Sequence, residues 1–144
     1  MPSDVMGRGW ADVLGEIPLF ADLSKRHLNK IAGLAKTRRY ARFTTIVRQG
    51  ERGDSFYVIL DGTVLIKPAG KRTVRLKPGD WFGEMALLDG APRTATVEAE
   101  TEVFVMLLGR TAFQKAVVAD PKMAMLLLRT LASRLRAAER SASY

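Results

Sequence analysis

Two spacings of apolar residues alternate along the chain. Between residue 10 and about 37 they return at three- and four-residue steps, as Trp10, Val13, Leu14 and Ile17 and then, after "PLFADLS", as Leu28, Ile31, Leu34 and Ala35. That period predicts helices. Ser24 is placed to cap the second helix, with His27 at the third capping-box position, where a Glu is usual. From about 38 to 108 the texture changes to short β-branched and aromatic runs, "TTIV", "FYVIL", "TVLI", "TVRL", "TATVEA" and "VFVML". Turn chemistry bounds each one, in "QGERGD", "LDG", "KPGD" and "LDGAP". Six to eight short strands at such close spacing predict a sandwich or barrel-like roll. After Gly109 the helical period returns over about 111–140. Thr111 can cap "AFQKAVVA", Pro121 can open the next helix in its first turn, and Met123, Leu127, Leu131 and Leu135 line one face as core or dimer seam.

The order helix, roll, helix shows no repeat, low-complexity tract or linker, and 144 residues at 47% apolar suit one domain spanning 1–144. With no cysteine, thiol catalysis, zinc–thiolate sites and disulfides are excluded, and a cytoplasmic location is the expectation. The first twenty residues hold three acids and no uninterrupted apolar core, so no signal peptide is read there. No segment approaches a membrane span. A net charge of +8 and a pI near 10.2 favour an anionic partner. The charge lies in two acid-free runs, Lys36, Arg38, Arg39, Arg42 and Arg48, then Lys67, Lys71, Arg72, Arg75 and Lys77. Both alternate with strand-like residues and read as solvated strand faces before they read as a nucleic-acid surface. His27, the only histidine, has no second imidazole beside it and reads as a helix-surface or capping residue, with no metal site expected.

The stretch "FGEMALLDGAPRTATV", residues 82–97, concentrates the chemistry. If Trp81 and Phe82 end a strand and "GEMALL" makes a helical turn, free N–H groups at that turn form an anion site. Gly83 then lets a ligand approach the backbone closely. Arg93 offers a planar fork for two exocyclic phosphate oxygens. Glu84, an acceptor only, would repel phosphate but hold a sugar hydroxyl, and Thr94 adds a hydroxyl. Phosphate and ribose in one pocket mean a nucleotide. A single arginine, no Walker lysine and only scattered carboxylates for magnesium disfavour a triphosphate. With Ile66 and Val74 to face a base, a cyclic mononucleotide is the economical ligand. Of Trp81 and Phe82, one must be core, and Trp81 as a base-stacking residue is the lesser reading.

The chain resembles the cyclic nucleotide-binding domains of bacterial catabolite activator proteins, cyclic-nucleotide-dependent kinases and nucleotide-gated channels, over about residues 17–140. The resemblance rests on the phosphate-binding cassette Gly83-Glu84-Met85-Ala86-Leu87 with Pro92-Arg93-Thr94-Ala95. Gly50, Gly53-Asp54, Phe56-Tyr57-Val58, Gly62 and Gly79-Asp80 support it in the right order. It implies an α+β, mainly β fold: an antiparallel, jelly-roll-like β-roll (a double-stranded β-helix) flanked by N-terminal and C-terminal helices. It also implies roles: Glu84 for the ribose 2′-hydroxyl, Arg93 for the cyclic phosphate, and N–H groups around Gly83, Glu84, Ala86 and Thr94 for the remaining oxygens. The last helix, residues 122–140, would move over the base, with Arg134, Ala138 and Arg140 as candidate base contacts by position. Thr94, next to the arginine, occurs in such domains of either base preference; cAMP is favoured over cGMP.

Three classes of function compete. The leading one is a cyclic-nucleotide sensor, not an enzyme, with no catalytic residue, whose last helix reports to an effector that the sequence does not name. That helix can equally form a homodimer or dock on a partner. A degenerate roll serving only as an interaction module is the bland alternative, in which Glu84 and Arg93 merely pair with each other. A DNA-binding regulator would need a helix-turn-helix beyond Tyr144, so no direct DNA binding is expected. A phosphodiesterase would need a metal pair or a positioned base, and neither is visible.

Overall fold

The computed structural model describes residues 9–142. Helix α1 (Trp10–Gly15), a 3₁₀ turn (Pro18–Phe20) and α2 (Lys25–Ala32) precede the strands. These are β1 (Lys36–Tyr40), β2 (Thr45–Val47), β3 (Ser55–Asp61), β4 (Val64–Pro68), β5 (Val74–Leu76) and β6 (Trp81–Phe82). The short helix α3 (Ala86–Asp89) follows, then β7 (Ala95–Ala99), β8 (Val103–Gly109), α4 (Arg110–Val118) and α5 (Pro121–Ala142). The strands form two four-stranded antiparallel sheets, ordered β1-β8-β3-β6 and β2-β7-β4-β5. This is an α+β antiparallel β-roll with helices at both ends.

The apolar runs "FYVIL" and "VFVMLL" are continuous because the β3/β8 sheet is covered on both faces. Tyr57, Ile59, Val103, Val105 and Leu107 face the roll interior with Val64, Phe82, Val97 and Ala99. The alternate residues Phe56, Val58, Leu60, Met106 and Leu108 face the helices, where Leu14, Ile17, Phe20, Ile31, Phe113 and Met123 complete a second core. Phe20 sits at its centre, edge-on to Phe56 (6.0 Å between centroids) and tilted on Phe113 (5.8 Å).

Several sequence expectations shift. Ser24 does cap α2, accepting the His27 N–H at 3.3 Å, but the helix ends at Ala32 and β1 is already under way at Lys36. A strand reading KTRRY has no apolar signal because its residues are mostly exposed. Gly109, rather than Thr111, is the residue before the first turn of α4, and Thr111 lies inside the helix. His27 is not on the surface: it is 4% exposed, with Nδ1 at 2.9 Å from Ser24 Oγ. In the α5 stripe Met123 and Leu127 are core, while Leu135 is exposed together with Met125 and Leu128. Both basic runs are solvated. The second is partly neutralised, by Lys67–Glu98 at 2.6 Å and Arg75–Glu100 at 2.7 Å.

Candidate functional site

The segment after β6 is shaped by backbone. Gly83 has φ +84, which turns the chain out of the sheet, and α3 is closed by Gly90 in the left-handed region at φ +61. The β2–β3 loop then pins the return. Gly53 N–H donates to Ala91 O (3.0 Å), Arg93 N–H to Glu51 O (2.7 Å) and Gly50 N–H to Arg93 O (2.8 Å), with Arg52 and Pro92 forming an isolated antiparallel bridge. A side chain at position 53 would lie 2.7 Å from Ala86 Cβ, so glycine is what lets α3 sit against this loop. The glycines of "QGERGD" therefore hold the cassette in place.

Two cavities meet at Arg93. The larger, about 370 Å³, is lined by Gly83, Glu84, Met85, Ala86, Asp89, Ala91, Pro92, Arg93 and Thr94. The smaller, about 130 Å³, is lined by Val47, Ile66, Phe82, Gly83, Arg93, Thr94, Ala95 and Val97. Glu84 and Asp89 stand on the wall of the larger and Val47, Ile66, Phe82 and Val97 on that of the smaller, and they share Gly83, Arg93 and Thr94. Together they reach the size range of small-ligand sites.

The electrostatics centre on one group. The Arg93 side chain is 8% exposed, and Nη2 donates to Ser55 O at 2.7 Å. Its nearest carboxylate among the described residues is Asp54 Oδ1 at 4.0 Å, on a largely exposed side chain. A side chain at position 83 would come within 2.5 Å of Arg93 Nη1, so the guanidinium sits in space that only glycine leaves open. Glu84 is half-buried and its carboxylate has neither a hydrogen-bond nor an ion-pair partner among the described residues, so the mutual Glu84–Arg93 pair does not form. The N–H groups of Gly83, Glu84 and Met85 have no backbone partner among the described residues, whereas that of Ala86 is engaged with Gly83 O at 3.1 Å. A buried cation short of an anion, a free carboxylate and free N–H groups thus share one hollow.

Of the expected base-facing residues, Ile66 lines the smaller cavity and Val74 does not. Val74 pairs with Ile66 across β4/β5 but sits on the outer strand, exposed. Trp81 packs on the helix-side core, so it is Phe82 that faces the cavity. Arg134 of α5 reaches the rim, with Nη1 at 4.0 Å from Met85 Sδ, while Ala138 and Arg140 are exposed further along the helix. Sequence reasoning named Asp54 and Tyr57 only among the turn and strand positions that support the family resemblance, and assigned no site role to Ser55, Val47, Val97 or Asp89. Tyr57 carries a signal in hindsight, since its strand pairs with β6 and sets it opposite Phe82. No group of metal-ligating side chains occurs among the described residues, and no helix among them is long and apolar enough to cross a membrane.

Comparison with known proteins adds the following. Residues 37–120 match the family model described as "Cyclic nucleotide-binding domain". A cAMP-dependent protein kinase regulatory subunit of Pyricularia oryzae is 39% identical over 110 residues, covering 75% of this chain and 28% of that protein. A cyclic nucleotide-gated potassium channel of Mesorhizobium japonicum is 35% identical over 131 residues, 91% of this chain and 36% of the channel. The chain thus spans roughly a quarter to a third of these curated relatives. Among solved structures, the N-terminal domain of a transcriptional regulator from Streptomyces coelicolor A3(2) superposes with a TM-score of 0.79 at 33% identity, covering 92% of this chain and 96% of that one.

Proposed function

The chain belongs to the cyclic nucleotide-binding domain family, and from that premise we propose that it is a sensor that binds cAMP in preference to cGMP and passes the event to α5. The observation that carries this reading is the Arg93 guanidinium, buried between two cavities with one hydrogen bond to a backbone carbonyl and, as its nearest carboxylate among the described residues, the exposed Asp54 at 4.0 Å. A buried charge needs a counter-charge, and a cyclic phosphate supplies two exocyclic oxygens in the geometry of the fork. The free Glu84 carboxylate on the same wall suits a ribose hydroxyl. The apolar side of Val47, Ile66, Phe82 and Val97 suits a purine. The kinase regulatory subunits among the relatives, named for cAMP, favour adenine.

Helix α5 is the natural reporter. Its first half is anchored by buried Met123 and Leu127 and by Thr130 Oγ1 donating to Asp22 Oδ2 at 2.6 Å. Beyond that point its side chains are mostly exposed, and Arg134 stands at the cavity rim, where a base would meet it. An effector coupled to this half of the helix, in a partner or elsewhere in a longer polypeptide, would read the change.

Isothermal calorimetry with cAMP and cGMP on the wild type, Glu84→Ala and Arg93→Ala tests the proposal. A micromolar ligand corresponds to about −8 kcal/mol, and loss of one half of a buried charged contact costs about 2–5 kcal/mol. Micromolar or tighter binding of cAMP, weaker binding of cGMP and loss of measurable binding in Arg93→Ala are expected. Absence of heat with either nucleotide on the folded wild type overturns it and leaves a roll that serves only as an interaction module.

A further inference from the structure

The geometry points to Tyr57 as the residue that positions the Arg93 guanidinium for an anionic ligand and ties it to the Phe82 wall, so that the phosphate and base subsites respond as one unit. This rests on the nucleotide-binding reading above and adds a residue to it. Arg93 has few other constraints: one hydrogen bond to Ser55 O, a carboxylate 4.0 Å away, and a glycine that merely leaves it room. Tyr57 supplies what these lack. Its register sets it directly opposite Phe82, and the two rings stack at 4.7 Å with an interplanar angle of 11°. The Arg93 Cζ lies 5.8 Å from the centroid of the same Tyr57 ring. One side chain therefore touches both the cation and the apolar wall.

Its chemistry suits that place. Tyr57 is 5% exposed, and a cation held over an aromatic face away from water is attracted more strongly than one at the surface. Burial, and after it the neighbouring Tyr40 phenol, push the Tyr57 phenol up to about 12. The ring next to Arg93 is thus a neutral phenol. The hydroxyl is turned to other work: it meets Tyr40, whose own oxygen accepts from Arg38 Nη1 at 3.5 Å. The ring face, and not the hydroxyl, is what serves Arg93. Phenylalanine should therefore replace Tyr57 without loss at the ligand site, and an aliphatic residue should not.

The experiment pairs calorimetry with NMR on the wild type, Tyr57→Phe, Tyr57→Leu and Arg93→Lys. The ligands are cAMP and ribose 3′,5′-cyclic phosphate, which keeps the phosphate and lacks the base. Tyr57→Phe is expected to bind both within about twofold of wild type, and Tyr57→Leu to lose about tenfold or more for both, since a desolvated cation–π contact is of that size. Loss for cAMP with unchanged affinity for the base-less ligand overturns the proposal, because Tyr57 would then act only as backing for Phe82. In the ligand-free protein the Arg93 Nε–H resonance, assigned by its absence in Arg93→Lys, is expected to be shifted by the aromatic ring in wild type and Tyr57→Phe alike. A resonance at an ordinary arginine position overturns the proposal even if Tyr57→Leu fails to fold. If the wild type binds neither ligand the sensor reading fails, and the NMR arm still decides whether Tyr57 holds Arg93.

Discussion

The side-chain amide of Gln114, on α4, donates to Leu87 O of the cassette helix α3 at 3.1 Å, and to the next carbonyl, Leu88 O, at 3.2 Å. Carbonyls in the last turn of a helix have no partner within it, so α4 completes α3 from outside. Since α4 runs on into α5 through Asp120, this contact joins the cavity wall to the long helix. Replacing Gln114 by Leu removes both bonds at similar volume. Stability is expected to fall by about 1–2 kcal/mol in urea, with faster amide exchange at Leu88, Asp89 and Gly90. Unchanged exchange there would mean that α3 holds its shape without α4.

Gly83 and Gly70 both have positive φ, +84 and +66, but differ in what surrounds them. A methyl group at Gly83 would lie 2.5 Å from Arg93 Nη1 and 3.1 Å from Ser55 O, while at Gly70 nothing lies within 4 Å. Alanine at either position carries left-handed backbone strain of about 1 kcal/mol. Both variants are therefore expected to lose stability in chemical denaturation, Gly83→Ala more than Gly70→Ala because its methyl also meets Arg93 and the Ser55 carbonyl. Only Gly83→Ala should also lose nucleotide affinity, because its methyl displaces the guanidinium. Equal affinities for the two variants would detach Gly83 from the site.

The strands and helices were legible where period and burial coincide. β3 and β8 announce themselves as apolar runs because both their faces are covered, and α2 through the Ser24 cap. β1 was legible only through its basic run, read as a solvated strand face, and carries no apolar signal: it is held by five paired positions along β8, while its own side chains point mainly to water. Within the site, Gly83, Glu84 and Arg93 could be read because their types match phosphate and sugar chemistry at a fixed spacing. Ser55 could not, since it contributes a backbone carbonyl, for which residue type carries no signal. The role of Tyr57 was hidden for another reason: it depends on register between β3 and β6, which pairs Tyr57 with Phe82, twenty-five residues on in the chain. His27 was misplaced because a capping position says nothing about what packs above it.

Glu100 makes stability depend on pH at the far end of the roll. Arg75 donates Nε and Nη2 to its two oxygens at 2.7 Å each, and Thr63 Oγ1 donates to Oε1 at 2.8 Å. The Arg75 hydrogen bonds first, and then that from Thr63, hold its carboxyl down to about 2 from the ordinary 4.5. A carboxyl lowered in the folded state contributes stability that is complete above about pH 4.5 and is lost as pH falls towards 2. Thermal melts of wild type and Glu100→Gln are expected to differ at pH 6 and to converge by about pH 2, with the gap narrowing in high salt because the pair is partly solvated. A gap that persists at the acid end would assign the effect to packing.

Asp120 holds the start of α5 in two ways that can be separated. Its Oδ1 accepts the Met123 N–H at 3.2 Å, capping the first turn, while Oδ2 faces His27 Nε2 at 3.5 Å, Lys30 Nζ at 3.6 Å and Arg26 Nη1 at 3.9 Å. The Met123 N–H, and after it His27, Lys30 and Arg26, lower the carboxyl from its ordinary value, so its contribution is present above about pH 3.8 and fades on acidification. Asparagine keeps a capping oxygen and loses the charge, whereas alanine loses both. Urea midpoints at pH 7 are expected to fall in the order wild type, Asp120→Asn, Asp120→Ala. The wild-type advantage over Asp120→Asn isolates the charge and should shrink below about pH 3.8, while the difference between Asn and Ala, which isolates the cap, should survive. Equal midpoints for wild type and Asp120→Asn at pH 7 would show that Asp120 acts only as the cap of the first turn of α5, and that its contacts to Arg26, His27 and Lys30 of α2 add nothing.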